Sequence, residues 1–162
     1  MWKSGLVAIC LLFLPASCQA KNNCPWLNEA TASGLMGGTA VGDYTAAAPG
    51  SPAVCAFVRQ DAGATRTLRI AVEIAPEPHA RFAELAQVCA VPTALKAIGN
   101  EAVECAADDR RGGMGQRAVS RVRDQVFTIT ISSSLKDDPE LTRDALQSKI
   151  GVAAEQVAGN LF

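Results

Sequence analysis

The chain has 162 residues, with 15 basic against 16 acidic side chains and a formal net charge of −1. That balance leaves no basic footprint for nucleic acid or for an anionic membrane surface. Aromatic residues are scarce and alanine and glycine frequent, so any core must be built from small aliphatic side chains.

The N-terminus reads as a secretory signal. Lys3 gives the cationic head, residues 6–14 form an unbroken apolar run, and Pro15 breaks it. Cys18-Gln19-Ala20 places small residues for cleavage after Ala20. The run is too short for a membrane span, which needs about 20 apolar residues. Lipid attachment at Cys18 is a second reading, but Pro15 stands where lipoprotein signals prefer an aliphatic residue. Residues 1–20 are therefore expected to be a signal peptide and 21–162 a single exported domain, periplasmic or extracellular. That mature chain has no further segment apolar enough to span a bilayer.

Four cysteines remain after the signal: Cys24, Cys55, Cys89 and Cys105. An even count in an exported chain points to two disulfides, with three possible connectivities. No close-spaced pair suggests zinc, no Cys-x-x-Cys suggests a thiol oxidoreductase, and no metal or cofactor is called for.

In chain order, residues 25–36 have helical spacing, with Asn23 or Cys24 as cap, Pro25 in the first turn and Gly37-Gly38 as the stop. Residues 39–52, rich in Gly, Ala and Pro, hold at most an edge strand near Val41. Residues 65–75 alternate cleanly, with Leu68, Ile70, Val72 and Ile74 on one face. Residues 54–60 are the expected hairpin partner through a loop at 61–64, which sets Phe57 opposite Leu68 and Cys55 opposite Ile70. Cys55 then points at the core, where Cys24 can meet it.

A second helix is expected over 78–89, with Phe82, Leu85, Ala86 and Cys89 on one face. Residues 102–107 form a short strand, and Cys105 is the expected partner of Cys89. A polar loop at 108–115 leads to a hairpin of 117–123 and 126–132. Its core face carries Ala118, Ser120, Val122, Phe127, Ile129 and Ile131; the other carries Arg117, Val119, Arg121, Val126, Thr128 and Thr130. The last helix is expected to start at Pro139 with Asp138 as its cap and to bury Leu146, Ile150, Ala153, Val157 and Leu161, leaving Lys149 off the stripe. The order is α-β-β-α-β-β-β-α: an α+β fold with an antiparallel sheet of about five strands, helices mainly on one face.

Cys24-Pro25-Trp26-Leu27, the strand with Cys55-Ala56-Phe57, and Ile98-Gly99-Asn100-Glu101-Ala102 before a basic hairpin and a closing helix resemble the PsbP-like, LpqN-type group of small exported bacterial domains. The resemblance implies an α/β/α sandwich and a binding or accessory role in the cell envelope. It carries over no catalytic residue.

The residues themselves favour the same class. His79, the single histidine, sits at a helix start, exposed and without a nucleophile to serve. Glu101 with Glu104, or Asp108 with Asp109, are the carboxylate pairs available for acid–base work, and Glu104 is expected on the solvent side. Trp26 is expected to pack near Cys24. The polar feature that points to a ligand is the set Arg110, Arg111, Arg117 and Arg121, with Arg123 beside it, because guanidinium forks grip carboxylate or phosphate. The expected function is a non-enzymatic envelope domain that binds a protein partner or a small anionic ligand. The alternatives are an enzyme acting on an envelope polymer, and a secreted inhibitor or accessory protein.

Overall fold

Period-two alternation decides this fold, because a strand with one apolar face must be covered on that face. The computed structural model describes residues 23–61, 63–107 and 112–162. The signal-peptide and Cys18 readings lie outside the described residues, as do Arg110 and Arg111. The elements are α1 (Glu29–Met36), β1 (Val41–Thr45), β2 (Ala53–Asp61), β3 (Ala64–Ile74), α2 (Pro78–Ala86), β4 (Thr93–Ala94), β5 (Glu101–Ala106), β6 (Met114–Val122), β7 (Gln125–Ser133) and α3 (Arg143–Leu161). The fold is α+β, and the sheet is antiparallel with spatial order β1-β2-β3-β7-β6-β5-β4.

Seven strands replace the expected five. The two additions are the edges. β1 lacks apolar alternation and is held by its register on β2, and β4 is two residues long. The first hairpin has the expected register, Phe57 facing Leu68 and Cys55 facing Ile70, and the second has the expected shared face, with Ala118 opposite Ile129 and Ser120 opposite Phe127. The pairing of β3 with β7 joins the two hairpins into one sheet, with Ile70 opposite Ile129.

The main core lies on one face. Leu68, Ile70, Phe127, Ile129, Ile131 and Ala118 meet Met36 of α1 and Leu146, Ile150, Ala153 and Val157 of α3. Cys24–Cys55 is formed, and it holds the entry segment against β2. That tether moves the start of α1. Asn28 caps the helix by accepting the Thr31 N–H at 2.8 Å, and Cys24-Pro25 precedes it as irregular chain. Gly37 closes it at φ 78°. Two cations then cover its open carbonyls: Lys149 Nζ donates to Leu35 O and Arg59 Nη1 to Met36 O, both at 2.6 Å. Lys149 is thus off the apolar stripe but engaged.

Among the described residues α1 and α3 cover the main face, as expected of most of the helical layer, and α2 is the exception. α2 packs on the opposite face, where Phe82, Val119, Val126 and Ala75 form a second small core with Leu85, Ala86 and Val103. Three side chains of the otherwise polar β5–β6–β7 face supply that apolar patch. α2 ends at Ala86, three residues short of Cys89, which is bonded to Cys105. Ile74 is 75% exposed although it shares the alternation of Leu68, because it is the last residue of β3 and pairs only with Gln125 at the start of β7.

Asp138 does not cap α3; Thr142 does, accepting the Ala145 N–H. Asp138 is buried, and its two carboxylate oxygens accept from Arg66 Nε and Nη2 at 2.7 and 2.8 Å. Ser133 Oγ and the N–H groups of Glu140 and Leu141 complete its shell. Burial opposes the charge, but these donors outweigh it and hold the carboxyl well below the usual aspartate range. Arg66 shares the core-facing alternation with Leu68 and also reaches Asp61 at 2.7 Å and Glu140 at 3.1 Å.

This packing sets the outcome of three substitutions. Ile150→Ala, at a fully buried site, lowers unfolding stability by about 2–5 kcal/mol. Glu155→Ala, exposed on the same helix, changes it by less than about 0.5 kcal/mol, as denaturant melts will show. Asp138→Asn removes the bidentate carboxylate from buried Arg66, which keeps Asp61 and Glu140, and costs about 1–3 kcal/mol. A depressed folded-state pKa stabilises above the unfolded value of about 3.9 and is lost as pH falls below it. The parent protein therefore loses stability more steeply below about pH 4 than Asp138→Asn does, in melts taken across pH.

Candidate functional site

The face under α2 is divided into cross-strand rows. In one row Ala56, Arg69, Thr130, Arg117 and Cys105 stand side by side on β2, β3, β7, β6 and β5. The next holds Ala71, Thr128, Val119 and Val103, and the one after it Glu73, Val126, Arg121 and Glu101. Adjacent strands lie about 4.8 Å apart, so the Arg69 and Arg117 backbones flank Thr130 at about 10 Å from one another.

Three attachments seat α2 over the second and third rows. Arg81 Nε donates to Glu73 Oε1 at 2.6 Å and pairs with Glu84 at 2.7 Å. His79 Nδ1 lies 2.9 Å from both oxygens of Glu101. Cys89–Cys105 fixes the chain just past the helix to the first row. The helix leaves open the parts of the first and second rows that lie on β3, β7 and β6. Arg69, Arg117, Thr128, Thr130, Ala71, Leu85 and Val88 line a groove of about 290 Å³ there.

The arginines differ in their partners. Arg59 is paired with Asp61 and Glu140, Arg66 with Asp138, Asp61 and Glu140, Arg81 with Glu73 and Glu84, and Arg121 with Glu101 at 2.6 Å. Arg123 lies over the Phe162 ring, 5.5 Å from its centroid. Arg69 and Arg117 have no carboxylate partner among the described residues. Arg117 makes one long contact, Nε to Thr130 Oγ1 at 3.4 Å, and both guanidiniums border the groove. Two cations with no carboxylate partner among the described residues thus stand beside two threonine hydroxyls, a set of donors of the kind that carboxylate and phosphate accept from.

Of the arginines singled out in the sequence, Arg117 enters this groove and Arg121 does not, being held by Glu101. Arg110 and Arg111 lie outside the described residues. Arg69 is the residue that sequence reading missed. Its signal is the alternation of 65–75, which places it opposite Leu68 and Ile70; what was lacking is the β3–β7 register that brings it beside Thr130.

The carboxylate pairs do not assemble. Glu101 faces α2, and its bonds to His79 and Arg121 outweigh the burial that opposes them and lower its pKa. Glu104 lies on the other face and is buried, contrary to the solvent position expected, because α3 covers that end of β5. Gln147 Nε2 donates to it at 2.9 Å and Gln116 Nε2 at 3.5 Å. Asp108 and Asp109 lie outside the described residues. The His79 side chain is 78% exposed. Trp26 packs edge-to-face on Tyr44 at 5.9 Å, as a structural residue. Among the described residues no group of three His, Cys, Asp or Glu side chains is placed to hold a metal ion, and no helix is long and apolar enough to cross a membrane.

In comparisons with known proteins, no family model, no curated protein and no solved structure matches the chain.

The wall of the groove depends on the second disulfide, since Val88 immediately precedes Cys89. Replacing Cys89 and Cys105 together with serine opens a loop of about 15 residues and costs about 3 kcal/mol. It also frees Val88, which amide hydrogen exchange will register as lost protection at 86–91, with β3 unaffected.

Proposed function

We propose that this chain is an exported, non-enzymatic binding domain of the cell envelope, and that it holds its ligand or partner by an anionic group seated in the Arg69–Arg117 groove. The observation that carries this reading is the contrast among the arginines: four are satisfied by carboxylates, while the two lining one open groove are not. An unpaired guanidinium keeps its full capacity for a bidentate bond to carboxylate or phosphate. Two disulfides support an oxidising destination outside the cytoplasm, in keeping with the signal-like N-terminus. The resemblance to LpqN-type envelope domains fits this reading through the layered α+β architecture. A binding role over catalysis is favoured because Glu101 and Glu104 project from opposite faces of the sheet.

An NMR titration of the isotope-labelled mature protein with sodium acetate and with inorganic phosphate, at constant ionic strength, tests the proposal. Shifts are expected to concentrate at Arg69, Arg117, Thr128 and Thr130 and to disappear in Arg69→Gln/Arg117→Gln. Shifts absent from these residues, or unchanged in that variant, would overturn it.

A further inference from the structure

The groove is not polar throughout. Facing the two guanidiniums are Leu85 of α2 and Val88, and Val88 is 63% exposed. Ala71 forms the floor beside Thr128. A solvent-exposed valine costs little alone, but here it stands across from two uncompensated cations in one cavity. A bare inorganic anion would use the guanidiniums and leave this wall in water. A polyanion would gain nothing from it. Other basic side chains near the groove are already committed: Arg121 to Glu101 and Arg81 to Glu73.

The volume narrows the choice further. Pockets for drug-sized ligands run from roughly 300 to 1,000 Å³, and this groove, at about 290 Å³, lies at the lower edge. It suits one anionic head with a short apolar body. We infer that the groove binds a small amphiphilic carboxylate, its carboxylate between Arg69 and Arg117 over Thr130 and its hydrocarbon chain along Leu85 and Val88. This rests on the anion-binding reading above and specifies the ligand class for that same groove.

The arrangement makes the two halves of recognition separable. Arg69 and Arg117 stand on β3 and β6, within the sheet, whereas the apolar wall comes from α2 and the segment that Cys89 anchors. A change in the wall leaves the cations in place.

The test is a homologous series of acetate, butyrate, hexanoate and octanoate, each below its micelle concentration and at fixed ionic strength, titrated into the mature protein and followed by NMR. Affinity is expected to rise two- to fourfold for each added methylene until the groove is full. Val88→Ser should flatten this dependence on chain length, read as the ratio of octanoate to acetate affinity within the variant. Arg69→Gln/Arg117→Gln should weaken every member of the series. Acetate bound at the groove with no rise along the series would overturn the amphiphile and leave the anion site standing. A rise that survives Val88→Ser would place the chain elsewhere and equally overturn it. No carboxylate bound at the arginines would overturn the amphiphile, and loss of the inorganic phosphate shifts as well would remove the anion reading with it.

Discussion

The buried ion pair between Arg66 and Asp138 is the constraint on which the arrangement of layers depends. Arg66 occupies a core-facing position of β3, where the alternation would otherwise place an aliphatic side chain, so its charge must find a partner inside the protein. Asp138 is the partner, and it lies in the connection from β7 to α3. A buried pair of this kind adds little net stability against a well-packed apolar equivalent. It does penalise any arrangement in which either charge is left alone. The connection is thereby pinned to the strand end, and α3 is delivered onto the apolar face at a fixed point. Arg59, Asp61 and Glu140 extend the network to the C-terminus of α1, so both helices of that layer are positioned by one cluster of charges.

The same residue type serves opposite purposes on the two faces. On the α1–α3 face the arginines are enclosed by carboxylates and help to specify the fold. On the α2 face, Arg121 and Arg81 fasten a helix, and Arg69 and Arg117 fasten nothing. A short helix that stops at Ala86 covers only part of a sheet face. The uncovered part is where the chain retains charge that folding does not consume. The groove is therefore a by-product of how far α2 extends, and Cys89–Cys105 ties the next segment down beside it.

Much of this was legible in the sequence where local rules act. The two hairpins, the register of the first and the inward orientation of Cys55 toward Cys24 follow from period-two alternation and turn length, and the Cys89–Cys105 pairing from the apolar face of the second helix that Cys89 ends. The closing helix follows from its Leu146–Ile150–Val157 stripe. Capping was less legible, because Asp138-Pro139 has the local signature of a helix start, yet a long-range partner, Arg66, claims the aspartate. The position of Glu104 was misjudged for a related reason: strand alternation tells which residues share a face but not which face a distant helix covers. The groove was half visible. Arg117, Thr128 and Thr130 belong to one hairpin, while Arg69 joins them only through the pairing of β3 with β7, across some sixty residues of chain. No local pattern encodes that pairing.

The edges of the sheet bear on how the protein meets other molecules. β1 is five residues long, and the Gly42 N–H already donates to Glu29 Oε1 at 2.7 Å. At the far side β4 is only two residues. Recognition by strand addition requires a run of unsatisfied backbone groups along an edge. Here one edge is partly occupied by a side chain of its own helix and the other is too short to template a ladder. An extended segment of another chain, or a second copy in a crowded compartment, finds no ready row of backbone donors and acceptors. The sheet gains protection against edge-to-edge association from the same two features.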